Sequence, residues 1–409
     1  MPAPWPERRL TWPNVPGTFP QWAQFHCLEF GPAGTTPASP IHHRSYGLAA
    51  IQGFEAVREA GDQTGLDVLA CRLRGLRRRF AVRALPCLLG IGTSAVTGTP
   101  ACGQLWAPDH IVVVVLENRD LDQVVGSTQC PFINTRLIPE GALLRNSLAI
   151  GHPSQPNYLE LFSGSPQMTQ GSDGPVPGSL APAGAPGTGP GLDAPNLGAA
   201  TIAAGRTFAG YAEGLQLAGD PLAYAGGGRS RLLYVRKHNP WSNFIARAPA
   251  GQQLPADVNR DFSSFPANDF MRLPALSFVI PNQCHDAHGT AADCPDGDAN
   301  LAAADRWLED HLYGYAQWAK AHNSLLILTT DEGEVAVGRD PATGLELTRI
   351  TTVLVGGRIR PGDYQRRIDV YGLCALIALV ENAAPPAACG QPAALAEARG
   401  LADAVMLSE

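Results

Sequence analysis

Six consecutive apolar residues, Ile111-Val112-Val113-Val114-Val115-Leu116, run without a polar interruption and stop at Glu117-Asn118. Five of the six are β-branched, a composition that favours extended backbone. A strand sends alternate side chains to opposite faces. A run that is apolar in both alternate sets must therefore be covered on both sides, as the central strand of a largely parallel sheet is. Further strands are expected over 207–211, 275–280, 324–329 and 350–355. Helices are expected over 128–138, 152–164, 299–321 and 369–382, and the third carries Leu301, Trp307, Leu308, Leu312 and Trp318 at helical spacing. Strands alternating with helices give the α/β class, with a mostly parallel central sheet covered on both faces. Residues 165–200, rich in Gly, Pro and Ser and without a period, read as a long surface loop or lid. There is no internal repeat.

In such sheets a ligand sits outside the carboxyl ends of the strands. Polar residues gather at these ends: Glu117-Asn118, Asn282 and Asp331-Glu332. Carboxylate and amide oxygens suit a hard divalent cation, so Glu117, Asn118, Asp331 and Glu332 are candidate ligands for one divalent metal ion. A second ion is allowed for near His285-Asp286-Ala287-His288. Either acidic turn alone would more simply be a solvated strand end.

Between them lies Gly151-His152-Pro153-Ser154-Gln155-Pro156-Asn157-Tyr158. Two prolines restrict the backbone around Ser154 just before an apolar helical run, which places its hydroxyl at a helix N-terminus where anions are favoured. On its own, Ser154 is an ordinary N-cap. Two acidic strand ends beside it make a nucleophile aimed at phosphorus the sharper reading. His152 lines the same mouth. His288 and Asp286 offer phosphate contacts or a general acid, while His285 read alone is a polar loop residue. Arg236-Lys237-His238-Asn239-Pro240-Trp241 is either a phosphate-binding segment or a solvated loop. Asp293, Asp296, Asp298 and Asn300 lack EF-hand spacing, and the Gly-rich stretch 225–228 lacks the flanking strand and helix of a phosphate loop.

The net charge of −7 argues against a nucleic-acid binder. The first 106 residues hold 10 of the 30 basic and 6 of the 37 acidic residues, so the remainder carries −11. Residues 72–106 have the layout of an export signal: Arg72 to Arg83 is basic, 84–96 is apolar, and small residues lead to Cys102. Arg77-Arg78-Arg79-Phe80 resembles a twin-arginine signal with Leu76 in place of Ser or Thr. Ala101-Cys102 resembles a lipoprotein cleavage site weakly, Thr99 standing in place of Leu. Residues 1–71 then read as a disordered extension or as sequence before the true start, against the alternative of an N-terminal domain with a buried apolar helix at 84–96. The expected product is secreted or held in the cell envelope, with no transmembrane segment. Of nine cysteines, Cys284 and Cys294, and Cys374 and Cys389, are close enough in sequence to pair after export. Cys130 is left over.

Several motifs occur in order: 113–119, His152-Pro153-Ser154-Gln155-Pro156-Asn157-Tyr158-Leu159, Tyr234 to Trp241, Leu276 to Asn282 with Asp286 and His288, Trp318-Ala319-Lys320, Asn323-Ser324-Leu325-Leu326 and Thr330-Asp331-Glu332. Together they resemble the bacterial phosphoesterase family of acid phosphatases and phospholipases C, in the alkaline-phosphatase-like superfamily, over residues 108–382. The resemblance implies a three-layer α/β/α sandwich, with 107–385 as the catalytic domain and 386–409 as a C-terminal tail. It also implies a covalent phosphoserine intermediate. Ser154 matches the nucleophile of a hydroxyl-x-Pro-Asn motif that includes Asn157. Glu117, Asn118, Asp331 and Glu332 match metal ligands, and His238, Asp286 and His288 match polar residues on the phosphate side. His152, Asn157 and Asp286 are the candidate substrate contacts, with His285, which has no counterpart, ranked below them. Relatives carry a His-Tyr pair where this chain has Val370-Tyr371, and the segment 333–348 is longer here. The implied activity is phosphomonoester hydrolysis on a small phosphorylated substrate or a phospholipid headgroup, phosphatidylinositol 3-phosphate included. The alternatives are a phospholipase C-type diesterase and a non-catalytic binder of phosphorylated ligands.

Overall fold

The computed structural model describes residues 105–180, 189–219, 233–289 and 294–407. The expected extension, nearly all of the export segment, Cys102 and the Gly-rich stretch 225–228 lie outside these residues. The apolar run forms β1 (His110–Leu116), in the middle of an eight-stranded sheet. It lies parallel to both neighbours, β6 (Leu276–Ile280) and β7 (Ser324–Thr330), with Ile111 opposite Leu276 and Leu325. Beyond β6 follow β4 (Phe208–Ala212) and β5 (Asn259–Asp261), both parallel. On the other side, β10 (Thr352–Gly356) runs antiparallel to β7, β2 (Ala142–Leu144) antiparallel to β10, and β11 (Gly362–Tyr364) parallel to β2.

Alternation along β1 builds the layers. Ile111, Val113 and Val115 enter one core with α1 (Ser154–Ser163), α2 (Leu197–Ala203), α4 (Val370–Val380) and α5 (Pro392–Val405). Val112, Val114 and Leu116 enter the opposite core with α3 (Gly297–Ala321). The result is the expected α/β sandwich of three layers. Leu301, Ala304, Leu308, Leu312, Tyr315 and Ala319 recur every three or four residues on the buried face of α3. Each fully buried aliphatic side chain contributes about 1.5–3 kcal/mol.

A second sheet, in the order β12 (Ile368–Asp369), β3 (Ser147–Ile150), β9 (Glu346–Ile350), β8 (Ala336–Arg339), was not expected. Its outer hairpin, β8–β9, is the long segment after Glu332. β3 runs antiparallel to β9 and leads directly into the turn before Ser154. The helix expected over 128–138 starts later, at 131, and contains a π-helical turn, Ile133–Leu137. Pro131 suits its first turn, and the backbone N–H groups of Phe132 and Ile133 donate to the Asp305 carboxylate at 2.9 Å each. The loop expected over 165–200 ends at Asn196, whose side chain caps α2 by accepting from the N–H of Ala199.

The C-terminal segment is not a tail. Residues 392–405 form α5, and Ala398, Leu401 and Val405 are buried against α4. Disulfides join Cys284 to Cys294 and Cys374 to Cys389, and Cys130 is free and buried. Among the described residues no helix is long and apolar enough to cross a membrane.

Candidate active site

Because β7, β1 and β6 are parallel neighbours, their carboxyl ends converge. The backbone N–H of Asp331 donates to Leu116 O at 3.0 Å, and that of Glu117 donates to Asp286 O at 2.6 Å. The chain turns out of β1 at Asn118, whose φ of 38° lies in the left-handed region that Asn tolerates. The N–H of Asn118 donates to Asp331 Oδ1 at 2.9 Å. The ends of β1 and β7 and the loop after β6 are thereby tied together by two backbone bonds and the Asp331 side chain.

Ser154 is the first residue of α1 and is 2% exposed. Its hydroxyl lies 3.1 Å from Glu117 Oε2 and 3.2 Å from Glu332 Oε1. Its single proton is given to one carboxylate at a time. Asn157 fixes the turn: it accepts from the N–H of Ile150 at 3.1 Å and donates to Gly151 O at 3.1 Å and Glu332 Oε2 at 3.4 Å. The Asn157 amide is thus held by protein groups on both its oxygen and its nitrogen. His152, partly exposed at the rim, sits 2.8 Å from Glu332 Oε2 through Nδ1.

His238 lies 3.1 Å from Glu117 Oε2 through Nε2 and stacks on Tyr158 of α1, with ring centroids 5.2 Å apart. His288 Nδ1 is 2.8 Å from Asn118 Nδ2 and 3.9 Å from Glu117 Oε2. Asp286 accepts from the N–H groups of His288 and Gly289 at 2.9 and 3.0 Å, which shapes the loop after β6. His285 stands apart from this cluster. Its Nδ1 lies 3.0 Å from both carboxylate oxygens of Glu213.

Three buried carboxylates, Glu117, Asp331 and Glu332, share one small volume. Burial opposes charge on Glu117, but the charge and contact of His238 outweigh it and hold that carboxyl well below its usual range. Burial, then the charges of Glu117 and Glu332, push Asp331 well above the ordinary value. Burial and Glu117 raise Glu332 to about 8. Asp286 rises to about 6 through burial and Glu117. The cluster therefore places its first negative charge on Glu117.

The donor set suits a divalent cation. Glu117 Oε1, Asp331 Oδ2 and Asp286 Oδ2 are buried without a hydrogen-bond partner, and crowded oxygens of this kind are stabilised by a hard positive ion. Among the described residues, however, no three His, Cys, Asp or Glu side chains converge in metal-binding geometry. Glu117 and Glu332 turn their Oε2 atoms to His238 and His152 instead.

Residues 128–378, more than half of the chain, match the phosphoesterase family. The chain belongs to the phosphoesterase family. As a phosphoesterase it is a hydrolase of phosphoric esters. It is 37% identical over 265 residues to the phosphatidylinositol-3-phosphatase of Mycobacterium tuberculosis, an alignment covering 64% of this chain and 74% of that one. It is 27% identical over 256 residues to the phosphate-repressible acid phosphatase of Penicillium chrysogenum, covering 61% and 52%. The chain thus spans about half the length of that fungal relative. Among solved structures, a protein in the alkaline phosphatase superfamily from Vibrio parahaemolyticus aligns with a TM-score of 0.43 at 13% identity over 70% of each chain.

Within this phosphoesterase, sequence reasoning passed over Glu213, Asp173 and Tyr158. Asp173 lies in a segment without periodicity, where nothing marks one acidic residue above another, whereas Glu213 directly follows β4 and could have been found as a polar strand end like Glu117. Tyr158 is hidden by its apolar neighbours, although its four-residue distance from Ser154 puts both on one helical face.

Proposed function

We propose that this phosphoesterase is an exported, metal-dependent phosphomonoesterase that works through a phosphoserine intermediate. The observation carrying the proposal is the buried Ser154 hydroxyl at the start of α1, within 3.2 Å of two carboxylates from different strand ends. Glu117, Asn118, Asp331 and Glu332 would hold the divalent cation, which when bound neutralises phosphoryl charge and favours the serine alkoxide. The Ser154 oxygen bonds to phosphorus as the ester oxygen departs. The proton of the Ser154 hydroxyl passes to Glu332 Oε1. His288, on the open side of the cluster, donates a proton to the departing alkoxide, and His238 keeps Glu117 ionised and in place. Water then attacks phosphorus and gives a proton to His288 as the bond from the Ser154 oxygen to phosphorus breaks; the stored proton returns to that oxygen and phosphate is released.

The similarity to a phosphatidylinositol-3-phosphatase suggests 3-phosphoinositide headgroups as substrates. Two disulfides suit an oxidising compartment, which supports export together with the signal-like segment at 72–106. The test is hydrolysis of p-nitrophenyl phosphate and of its choline diester by wild type and Ser154→Ala, with chelator and with added divalent ions. Metal-dependent turnover of the monoester, lost in Ser154→Ala, is expected. Preference for the diester would make the protein a phospholipase C-type enzyme. Phosphate binding without turnover would make it a binding protein.

A further inference from the structure

The first turn of α1 carries an internal occupant. The backbone N–H of Gln155, the residue after Ser154, donates to Asp173 Oδ1 at 3.0 Å. The other oxygen of the same carboxylate accepts from Lys237 Nζ at 2.7 Å. Gln155 also grips the loop, donating from Nε2 to Gly174 O at 2.6 Å. Asp173 comes from the Gly-rich loop after α1, and Lys237 stands beside His238. A carboxylate thus rests on a helix N-terminal amide and an ammonium, beside the hydroxyl that attacks phosphorus. These are the groups a phosphoryl oxygen seeks.

We propose that Asp173 is a latch that imitates the substrate. It holds the Gln155 amide and Lys237 while the site is empty, and the phosphoryl dianion displaces it on binding. This rests on the phosphomonoesterase reading above.

The attachments of the loop separate a fixed part from a movable one. Arg236 is buried and donates to Leu180 O at 3.1 Å and to Ser179 Oγ at 3.4 Å, pinning the loop at a point beyond Asp173. The Lys237–Asp173 pair is partly open to solvent, with side-chain exposures of 27% and 35%. An exposed ion pair is weak and readily exchanged. Glycine with a φ of 71° at Gly171, two residues before Asp173, supplies a left-handed turn from which the carboxylate can swing.

Lys237 also belongs electrically to the reaction centre. Burial works against its ammonium, but Glu117, Asp173 and Asp331 outweigh this and raise its pKa. Asp173 in turn adds to the negative field on Glu332. Moving Asp173 away would remove one negative charge from the approach of a dianion and leave Lys237 free to bind it. A plain N-cap would act in the opposite sense, since its loss would loosen the first turn and weaken binding.

The test uses Asp173→Asn, which keeps an acceptor for the Gln155 amide but removes the charge, together with Asp173→Ala and Lys237→Met. Inorganic phosphate is the probe. Its affinity is measured by calorimetry in the Ser154→Ala background and, independently, as inhibition of p-nitrophenyl phosphate turnover. We expect Asp173→Asn to tighten phosphate binding and lower KM by about two- to five-fold, the equivalent of one exposed ion pair. Lys237→Met weakens phosphate by about ten-fold or more, as loss of a charged donor does, and in that background Asp173→Asn gains less. Unchanged or weaker phosphate binding in both Asp173 variants would overturn the latch. Absence of turnover in wild type would instead remove the phosphomonoesterase reading, while the calorimetric titration would still decide the latch.

Discussion

Glu160 offers a sharp test of how this fold handles buried charge. It lies on α1, six residues beyond Ser154, and is 2% exposed. Burial pushes its carboxyl up to about 8, the Tyr371 hydroxyl at 2.8 Å offsetting only part of the shift. The unfolded chain restores an ordinary carboxyl near 4.5. The folded state therefore binds this proton more tightly than the unfolded state does. Its contribution to stability is complete below about pH 4.5 and is lost as pH rises through about 8. At about 1.36 kcal/mol per pH unit, the full loss is on the order of 4–5 kcal/mol as an upper bound. Glu160→Gln keeps the size and the acceptor for Tyr371 but carries no proton to lose. Urea unfolding of wild type and variant at pH 5 and pH 9 isolates the effect, because every other titrating group is common to both. Near-equal stability at pH 5, with the variant ahead by several kcal/mol at pH 9, is expected. A stability difference that stays the same at both pH values would refute the reasoning.

Asn157→Ala should lower kcat by about 10²-fold while phosphate affinity changes little, since the amide fixes the Ser154 turn rather than the ligand; steady-state kinetics with a phosphate-inhibition series checks this. Gly210→Ala places a Cβ against the Trp241 indole and should destabilise the domain by about 1–3 kcal/mol through overpacking, visible as a lower urea midpoint at unchanged slope. Leu401→Ala empties a fully buried site on α5 and should cost about 2–5 kcal/mol, whereas a mere tail would give almost nothing in the same melt.

The sequence announced the elements whose patterns are long. β1 and β7 were legible because seven-residue strands buried on both faces leave uninterrupted apolar runs, and α3 because 25 residues repeat a helical period. The polar strand ends followed from those two strands. β2, β11 and β12 were not legible, because two or three residues carry no period. β8 hid for another reason: all four of its residues are exposed, so it has no apolar face to betray it. The segment after residue 386 was misjudged because Ala supplies much of the buried face of α5, and small residues announce a core weakly. His285 was visible as a histidine but not as the partner of Glu213, which lies 72 positions earlier. Glu213 directly follows β4, but nothing in either segment says that the turn after one strand meets the loop after another.

The β8–β9 hairpin reaches the turn before Ser154 from outside. The N–H of Gly151 donates to Glu346 O at 2.7 Å, and a Cβ at Gly151 would lie 3.2 Å from Leu345. On its other side, β3 carries the strand that ends one residue before that glycine. The turn that carries Ser154, the proposed nucleophile, is therefore held by the second sheet, through β3 on one side and the β8–β9 hairpin on the other. On the proposed phosphoserine mechanism, substitutions at the base of that hairpin would retune the angle at which the Ser154 oxygen meets phosphorus while every group around it keeps its identity, a route by which variants would change substrate from the periphery inward.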